Sequence, residues 1–255
     1  MKQKISILGC GWLGMPLAFE LTNKGYLVKG SSTSNNKFDK LKPNGVTPFI
    51  VDIKHRESDI SDFLLSDLLI IAITSKSIDD YKNLIAQIEN SKIRKVIFIS
   101  STSVYPFSNG IVTEESSTKQ SPLTEIEQLF RNNKTLQSTI IRFGGLFGYN
   151  RKPENFIKGD KKIENPEGYI NFIHRDDCIQ IIEGIIASNT WNYTLNACSD
   201  SHPKRRAFYE KAYRKVERPS PVFNEASLNE YKIVNSDKLK GLLDYKFKYS
   251  DLLNF

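Results

Sequence analysis

Short uninterrupted apolar runs alternate with stretches whose apolar residues recur every three or four positions through the first two thirds of the chain. This pattern predicts strands buried on both faces, separated by amphipathic helices. Residues 5–8, 27–29, 47–51, 68–73, 96–100 and 139–143 read as successive strands. The first helix carries Gly14, Leu17, Ala18 and Leu21 on one side, has Pro16 in its opening turn and stops at Gly25, a residue suited to a left-handed cap. A second helix begins at Ser77, with Asp80 spaced for a capping box, and buries Ile78, Tyr81, Ile85 and Ile88. The fold class is therefore α/β, a doubly wound parallel sheet of the Rossmann type.

After Phe143 the pattern loosens into a loop at 144–158, rich in Gly, Asn and basic residues, and a turn-prone stretch at 165–168. A helix at 178–187 and a strand at 193–197 then look core-like again, before a helix at 204–216 and a C-terminal tail. The expected organisation is a Rossmann domain over 1–150, rejoined by about 170–200. Residues 151–169 and 201–255 make a smaller C-terminal lobe on the substrate side.

Length and composition agree with a globular protein: 255 residues, 39% hydrophobic and 11% aromatic. The longest apolar run, 68–73, is far short of the roughly 20 residues that span a bilayer, so no membrane partner is expected. The N-terminal Met1-Lys2-Gln3-Lys4 lacks the apolar core and cleavage site of a secretory signal, which makes the cytoplasm the expected address. Three cysteines, Cys10, Cys178 and Cys198, lack the pair spacings of zinc or redox motifs and read as buried thiols; no metal is expected. The formal charge of +7 gathers around Lys204, Arg205, Arg206, Lys211, Arg214, Lys215 and Arg218. Phe208, Tyr209, Ala212, Tyr213 and Val216 form an apolar stripe on the same helix, which leaves most of those cations facing solvent. No nucleic-acid signature accompanies them, so a solvated helix is favoured over a nucleic-acid face, and a small acidic ligand such as a nucleotide fits the charge equally well.

Between the first strand and first helix lies Gly9-Cys10-Gly11-Trp12-Leu13-Gly14, a G-x-G-x-x-G in the context that gives the motif meaning. Gly9 permits the tight turn, Gly11 lets a pyrophosphate approach the backbone, and Gly14 lets helix and strand pack. Amides at the helix start then hold the phosphates. At the end of the second strand an acid would accept the ribose hydroxyls of NAD, yet this chain has Ser31, Ser32 and Thr33, then Lys37, and no acid before Asp39. NADP is therefore favoured over NAD. Asp52 is placed either to meet an adenine amino group or to serve a strand-end turn. Trp12, Leu13, Ala72, Thr74 and Ser100 complete the expected cofactor-contacting set.

Ser100-Ser101-Thr102-Ser103-Val104-Tyr105 at a strand end, taken with the glycine loop, resembles the extended and atypical short-chain dehydrogenase/reductases, the NAD-dependent epimerase/dehydratase superfamily. The resemblance covers essentially the whole chain. Gly14-Met15-Pro16-Leu17-Ala18, Asn171-Phe172-Ile173-His174-Arg175-Asp176-Asp177, His202-Pro203 and Lys246-Phe247-Lys248-Tyr249 look like its atypical, YeeZ-like subgroup. It implies that Ser101 binds the reacting oxygen, that Arg142 and Gly144 lie where cofactor and substrate meet, and that a Tyr and a Lys one turn later transfer the proton. That dyad is missing, because no tyrosine occurs between Pro106 and Gly148. Tyr105 and Glu114 are the replacement candidates. His174 and Asp177 invite a catalytic pairing, but Asp177 is better read as the cap of a helix starting at Cys178. The opening motif also suits β-hydroxyacid dehydrogenases, which need a long all-helical C-terminal domain; strands here continue to Ala197. The expected function is an NADP-dependent (NAD possible) oxidoreductase or epimerase-like enzyme for a small polar, nucleotide-linked substrate, with a non-catalytic NADP sensor as the alternative. A homodimer is compatible with either.

Overall fold

The computed structural model describes residues 2–157 and 161–254. In chain order it contains β1 (Lys4–Leu8), α1 (Gly14–Asn23), β2 (Leu27–Ser32), α2 (Phe38–Leu41), β3 (Thr47–Ile50), α3 (Ser61–Leu64), β4 (Leu68–Ile71), α4 (Ile78–Glu89), β5 (Lys95–Ser101) and β6 (Ile111–Val112). There follow α5 (Pro122–Arg131), β7 (Gln137–Phe143), β8 (Gly145–Phe147), β9 (Phe172–His174), α6 (Arg175–Ser188), β10 (Thr194–Ala197), α7 (Arg205–Lys215), β11 (Ile233–Val234) and α8 (Asp237–Leu243). Among the described residues no helix is long and apolar enough to cross a membrane.

Seven strands form one parallel sheet in the order β10-β7-β5-β4-β1-β2-β3. The chain starts at β1, winds outward through β2 and β3, and returns to β4 on the other side. The crevice between β1 and β4 is thus the topological switch point, where open α/β sheets bind ligands. All seven strands were legible, six as apolar runs and β10 as a core-like strand, and Leu68, Leu69, Ile70 and Ile71 of β4 are fully buried, as a two-sided core strand requires.

The described chain divides into two compact units. The first comprises 1–100, 120–141 and 182–194; the second comprises 101–119, 142–181 and 195–255. In the first, α4 and α5 press Tyr81 and Phe130 against Phe98 of β5: Phe98 and Phe130 stack at 5.0 Å, and Tyr81 meets both edge-on. Burying each ring contributes about 2–3 kcal/mol. The second unit has its own core around Phe147, Ile163, Ile170, Phe208, Tyr209 and Leu252.

Four expectations are corrected. The loop expected at 144–158 contains β8, paired in parallel with β9, and a 3-10 turn at Pro153–Asn155; Lys158 lies outside the described residues. Three-residue strands are too short to show periodicity. Ser77 does cap α4, accepting the amide of Asp80 at 3.3 Å, but the Asp80 carboxylate turns to Arg56 Nε at 2.9 Å. The helix expected from Cys178 begins at Arg175, so Asp177 lies inside its first turn. Its fully buried carboxylate instead accepts the Tyr245 hydroxyl at 2.7 Å and the amides of Lys248 at 2.7 Å and Tyr249 at 3.2 Å. The expected C-terminal tail holds β11 and α8. On α7 the apolar stripe is buried at Phe208, Tyr209 and Ala212, while Arg206 pairs with Glu167 and Glu225.

Candidate functional site

The three glycines of the first βα turn do different physical work. Gly9 has φ +100°, and a Cβ there would lie 2.6 Å from Ile73 Cγ2 and 2.8 Å from the Ala72 carbonyl oxygen, so both conformation and space demand glycine. A Cβ on Gly14 would collide with the Gly9 carbonyl oxygen, which fixes how closely α1 follows the loop. Gly11 differs: nothing lies within 4 Å of its notional Cβ, and the residue is exposed. That open space beside a helix start is where a pyrophosphate would sit. The turn is held from both sides: Gly9 donates to Ser31 Oγ at 3.1 Å, Cys10 donates to the Ser31 carbonyl at 2.7 Å, and Ala72 donates to the Leu8 carbonyl at 2.8 Å. No acidic residue stands in the first turn of α1 to oppose an anion.

The other expected cofactor residues of this unit divide by exposure. Ser31 and Ser32 are buried, with the Ser32 hydroxyl donating to the Ser34 carbonyl, whereas Thr33 and Thr74 are exposed. Trp12 is half-buried, and Leu13 turns its side chain inward while its backbone forms the loop. Lys37 is close enough for its charge to act on Cys10, although burial dominates there and pushes that thiol up to about 12. Asp52 Oδ1 accepts the Lys54 amide at 3.1 Å, a strand-end turn contact. Ser100, at the end of β5, donates to Glu127 Oε1 of α5 at 2.5 Å, and both residues are buried.

In the second unit Ser101 opens a 3-10 turn at Thr102–Val104, its Oγ accepting the Ser103 amide at 3.1 Å. Tyr105, 1% exposed, donates to Asn196 Oδ1 at 2.8 Å and accepts from Arg142 Nη1 at 2.7 Å. Burial raises its hydroxyl above the ordinary tyrosine value, with Arg142 opposing. Glu114 accepts the backbone amide of Asn196 at 2.7 Å, which ties it to the β10 edge. Gly144 is a packing glycine, because a Cβ there would meet Cys198 Sγ and the Asn171 carbonyl. Burial also holds the Cys178 and Cys198 thiols protonated.

One residue of this cluster went unnoticed in the sequence. Lys232 donates from Nζ to the carbonyls of Thr102 at 2.9 Å and Tyr105 at 2.6 Å. Burial, aided by the charge of Lys119, lowers its ammonium to about 8. No local motif marks it, since it reaches the cluster only through the pairing of β11 with β6. The same unit holds a cavity of about 550 Å³ lined by Phe107, Phe156, Lys161, Lys162, Arg205 and Leu228. Arg205 Nε and Asn165 Oδ1, both at this cavity, are buried without a hydrogen-bond partner among the described residues. The basic loop residue Arg151 donates from Nε to the Leu146 carbonyl at 3.0 Å.

A seven-stranded parallel sheet with a glycine turn at its switch point defines a Rossmann-type α/β protein with the fold of the NAD-dependent epimerases and dehydratases, bearing out the resemblance drawn from the sequence. The chain is 28% identical to Protein YeeZ of Escherichia coli strain K12, over 98% of each chain. Among solved structures it is similar to a conserved protein of unknown function from Silicibacter pomeroyi, with TM-score 0.83, 20% identity and coverage of 99% of this chain and 96% of that one. It is also similar to UDP-glucuronic acid 4-epimerase from Bacillus cereus in complex with UDP-glucuronic acid and NAD, with TM-score 0.81, 20% identity and coverage of 98% and 96%. No family model matches the chain.

Proposed function

We propose that the protein is an NADP(H)-binding oxidoreductase or epimerase-like enzyme whose second unit receives a small, polar, nucleotide-linked substrate. The carrying observation is the Gly9–Gly11–Gly14 turn, in which two glycines are demanded by packing and the third faces open space. The α1 amides would hold the pyrophosphate, and Thr33 and Lys37 would meet a 2′-phosphate. When bound, the dinucleotide supplies a hydride donor or acceptor. Ser101, with its oxygen already engaged by the Ser103 amide, keeps its proton for a substrate oxygen. Because α5 carries no Tyr–Lys pair, proton exchange falls to Lys232, which sits against the Thr102 and Tyr105 carbonyls and whose ammonium burial lowers to about 8. The cavity at Arg205 and Asn165 offers an unpaired donor and an unpaired acceptor to a substrate, and its cations Lys161, Lys162 and Arg205 outnumber its carboxylates Glu164 and Glu230. The epimerase neighbour's UDP-sugar ligand supports this substrate class.

The same lack of a dyad supports a second reading, a dinucleotide sensor without chemistry. Turnover separates the two: a nucleotide-sugar panel, followed by NADPH absorbance for net redox change and by product chromatography for epimerisation, which returns the hydride and leaves the cofactor unchanged, should show substrate conversion in an enzyme and none in a sensor. The binding claim has its own test. Gly11→Val places a branched side chain in the open space, so NADPH affinity should fall by about two orders of magnitude while the melting temperature moves little. A folded Gly11→Val protein that binds NADPH and NAD like the wild type would sink this reading.

A further inference from the structure

A cavity of about 640 Å³ in the first unit lies at the opposite end of its strands from the glycine turn. Arg94 precedes β5, Leu136 and Gln137 open β7, and Tyr193 and Thr194 open β10, so its walls are strand beginnings. Its lining has a one-sided charge: Arg94, Arg131 and Lys134 contribute three cations, and no lining residue is acidic. Around them stand neutral polar side chains, among them Gln137 and also Asn133 and Thr135, both of which donate to Glu89 Oε1, at 2.8 and 3.3 Å, behind the lining.

Three features distinguish this from a solvated basic face. The Arg94 backbone and guanidinium are both fixed, the carbonyl accepting the Gln137 amide at 2.7 Å and Nη1 donating to the carbonyls of Ser91 and Ile93 at 2.9 and 2.7 Å. Neither Arg94 nor Lys134 has a carboxylate partner among the described residues, while Arg131 holds Glu127 at 3.4 Å. Ser138, which also lines the cavity, is 5% exposed, and its Oγ has no hydrogen-bond partner among the described residues. Buried hydroxyls are rarely left unpaired, so the site carries an unmet demand for a partner together with an unneutralised charge.

We propose that this cavity binds a small polyanion, a phosphate-bearing or polycarboxylate molecule, with Arg94 and Lys134 supplying charge and Ser138 a hydroxyl. Arginine suits such a ligand because its planar donors match two oxygens at once. The site is separate from the glycine turn and does not depend on dinucleotide binding.

The test uses inorganic pyrophosphate and isothermal titration of the full chain at low salt, in a Gly11→Val background that removes the turn as a competing site. Saturable binding is expected, weakened about tenfold or more by Arg94→Ala with Lys134→Ala, and weakened less by Ser138→Ala. Both charged residues are exposed, so the melting temperature of the double variant should hold. As a control for general electrostatics, Lys40→Ala with Lys42→Ala removes the same charge elsewhere and should leave affinity within about twofold. No saturable binding in the Gly11→Val protein overturns the proposal, as does an equal loss from both double variants.

Discussion

At the scale of single residues, Asp177 shows how a misplaced helix start hides a structural role. Read as a cap, it would be worth about 1 kcal/mol. Buried inside α6, it instead receives one hydroxyl and two backbone amides from the 245–249 segment. Removing the carboxylate leaves three donors in a dry site. Asp177→Ala should therefore destabilise the protein by about 3 kcal/mol or more, and Asp177→Asn, which keeps one acceptor, by clearly less. Urea unfolding of the three proteins measures both, and a loss under about 1 kcal/mol in the alanine variant would contradict this assignment. Glu114 makes a similar point. Its glutamate character was legible as a possible acid, but its contact with the Asn196 amide joins residues 82 apart in sequence, which no local pattern encodes.

Among the elements, legibility followed length and burial. Most strands of the central sheet were visible as short apolar runs, β4 (Leu-Leu-Ile-Ile) most plainly, and the glycine loop was visible because its spacing falls between two such elements. β6 and β11, of two residues each, left no period to find, and with them Lys232 was missed. Their pairing sets Ile233 against Ile111 and carries the lysine to the Thr102 and Tyr105 carbonyls. The consequence is a pH signature. Below pH 8 both folded and unfolded chains hold the proton, and folding bears the full cost of a half-buried charge. Between about 8 and the ordinary lysine value near 10.5, the folded protein releases its proton first. The unfolded chain then binds more protons, and stability rises with pH. Lys119 and Cys198 are the charged and titratable neighbours in play. The buried thiols Cys10, Cys178 and Cys198 act oppositely: they stay protonated in the fold while unfolded thiols ionise near 9, so their contribution falls as pH rises. Because Lys232→Met retains all three, the wild-type-minus-variant stability difference isolates the lysine. It should climb from pH 8 to 10 in urea titrations, and a flat difference would exclude the depressed lysine.

For the whole molecule, the decisive property is that neither unit is a continuous stretch. The chain passes between them after residues 100, 119, 141, 181 and 194. The first unit therefore takes its closing segment, 182–194, from beyond two stretches of the second, 101–119 and 142–181. That segment does much of the holding: Ile182 and Ile185 are fully buried, Glu183 pairs with Lys24 at 2.7 Å, the Thr190 carbonyl accepts from Thr139 Oγ1 at 2.9 Å, and the Tyr193 carbonyl accepts the Ile140 amide at 2.8 Å. A fragment ending at residue 141 keeps the glycine turn, β1 to β5 and α5, yet leaves those partners exposed. Losing two buried isoleucines alone forfeits about 3–6 kcal/mol, comparable to the whole stability of many domains. The fragment should thus show helical far-ultraviolet signal without a cooperative melt, and should bind a hydrophobic dye. Supplying 182–194 as a separate peptide should not restore it, because association must then overcome the lost translational freedom. Calorimetry decides the matter: a sharp two-state transition in the 1–141 fragment would show that the interleaved segment is dispensable, and that the dinucleotide turn stands on an independently folding base.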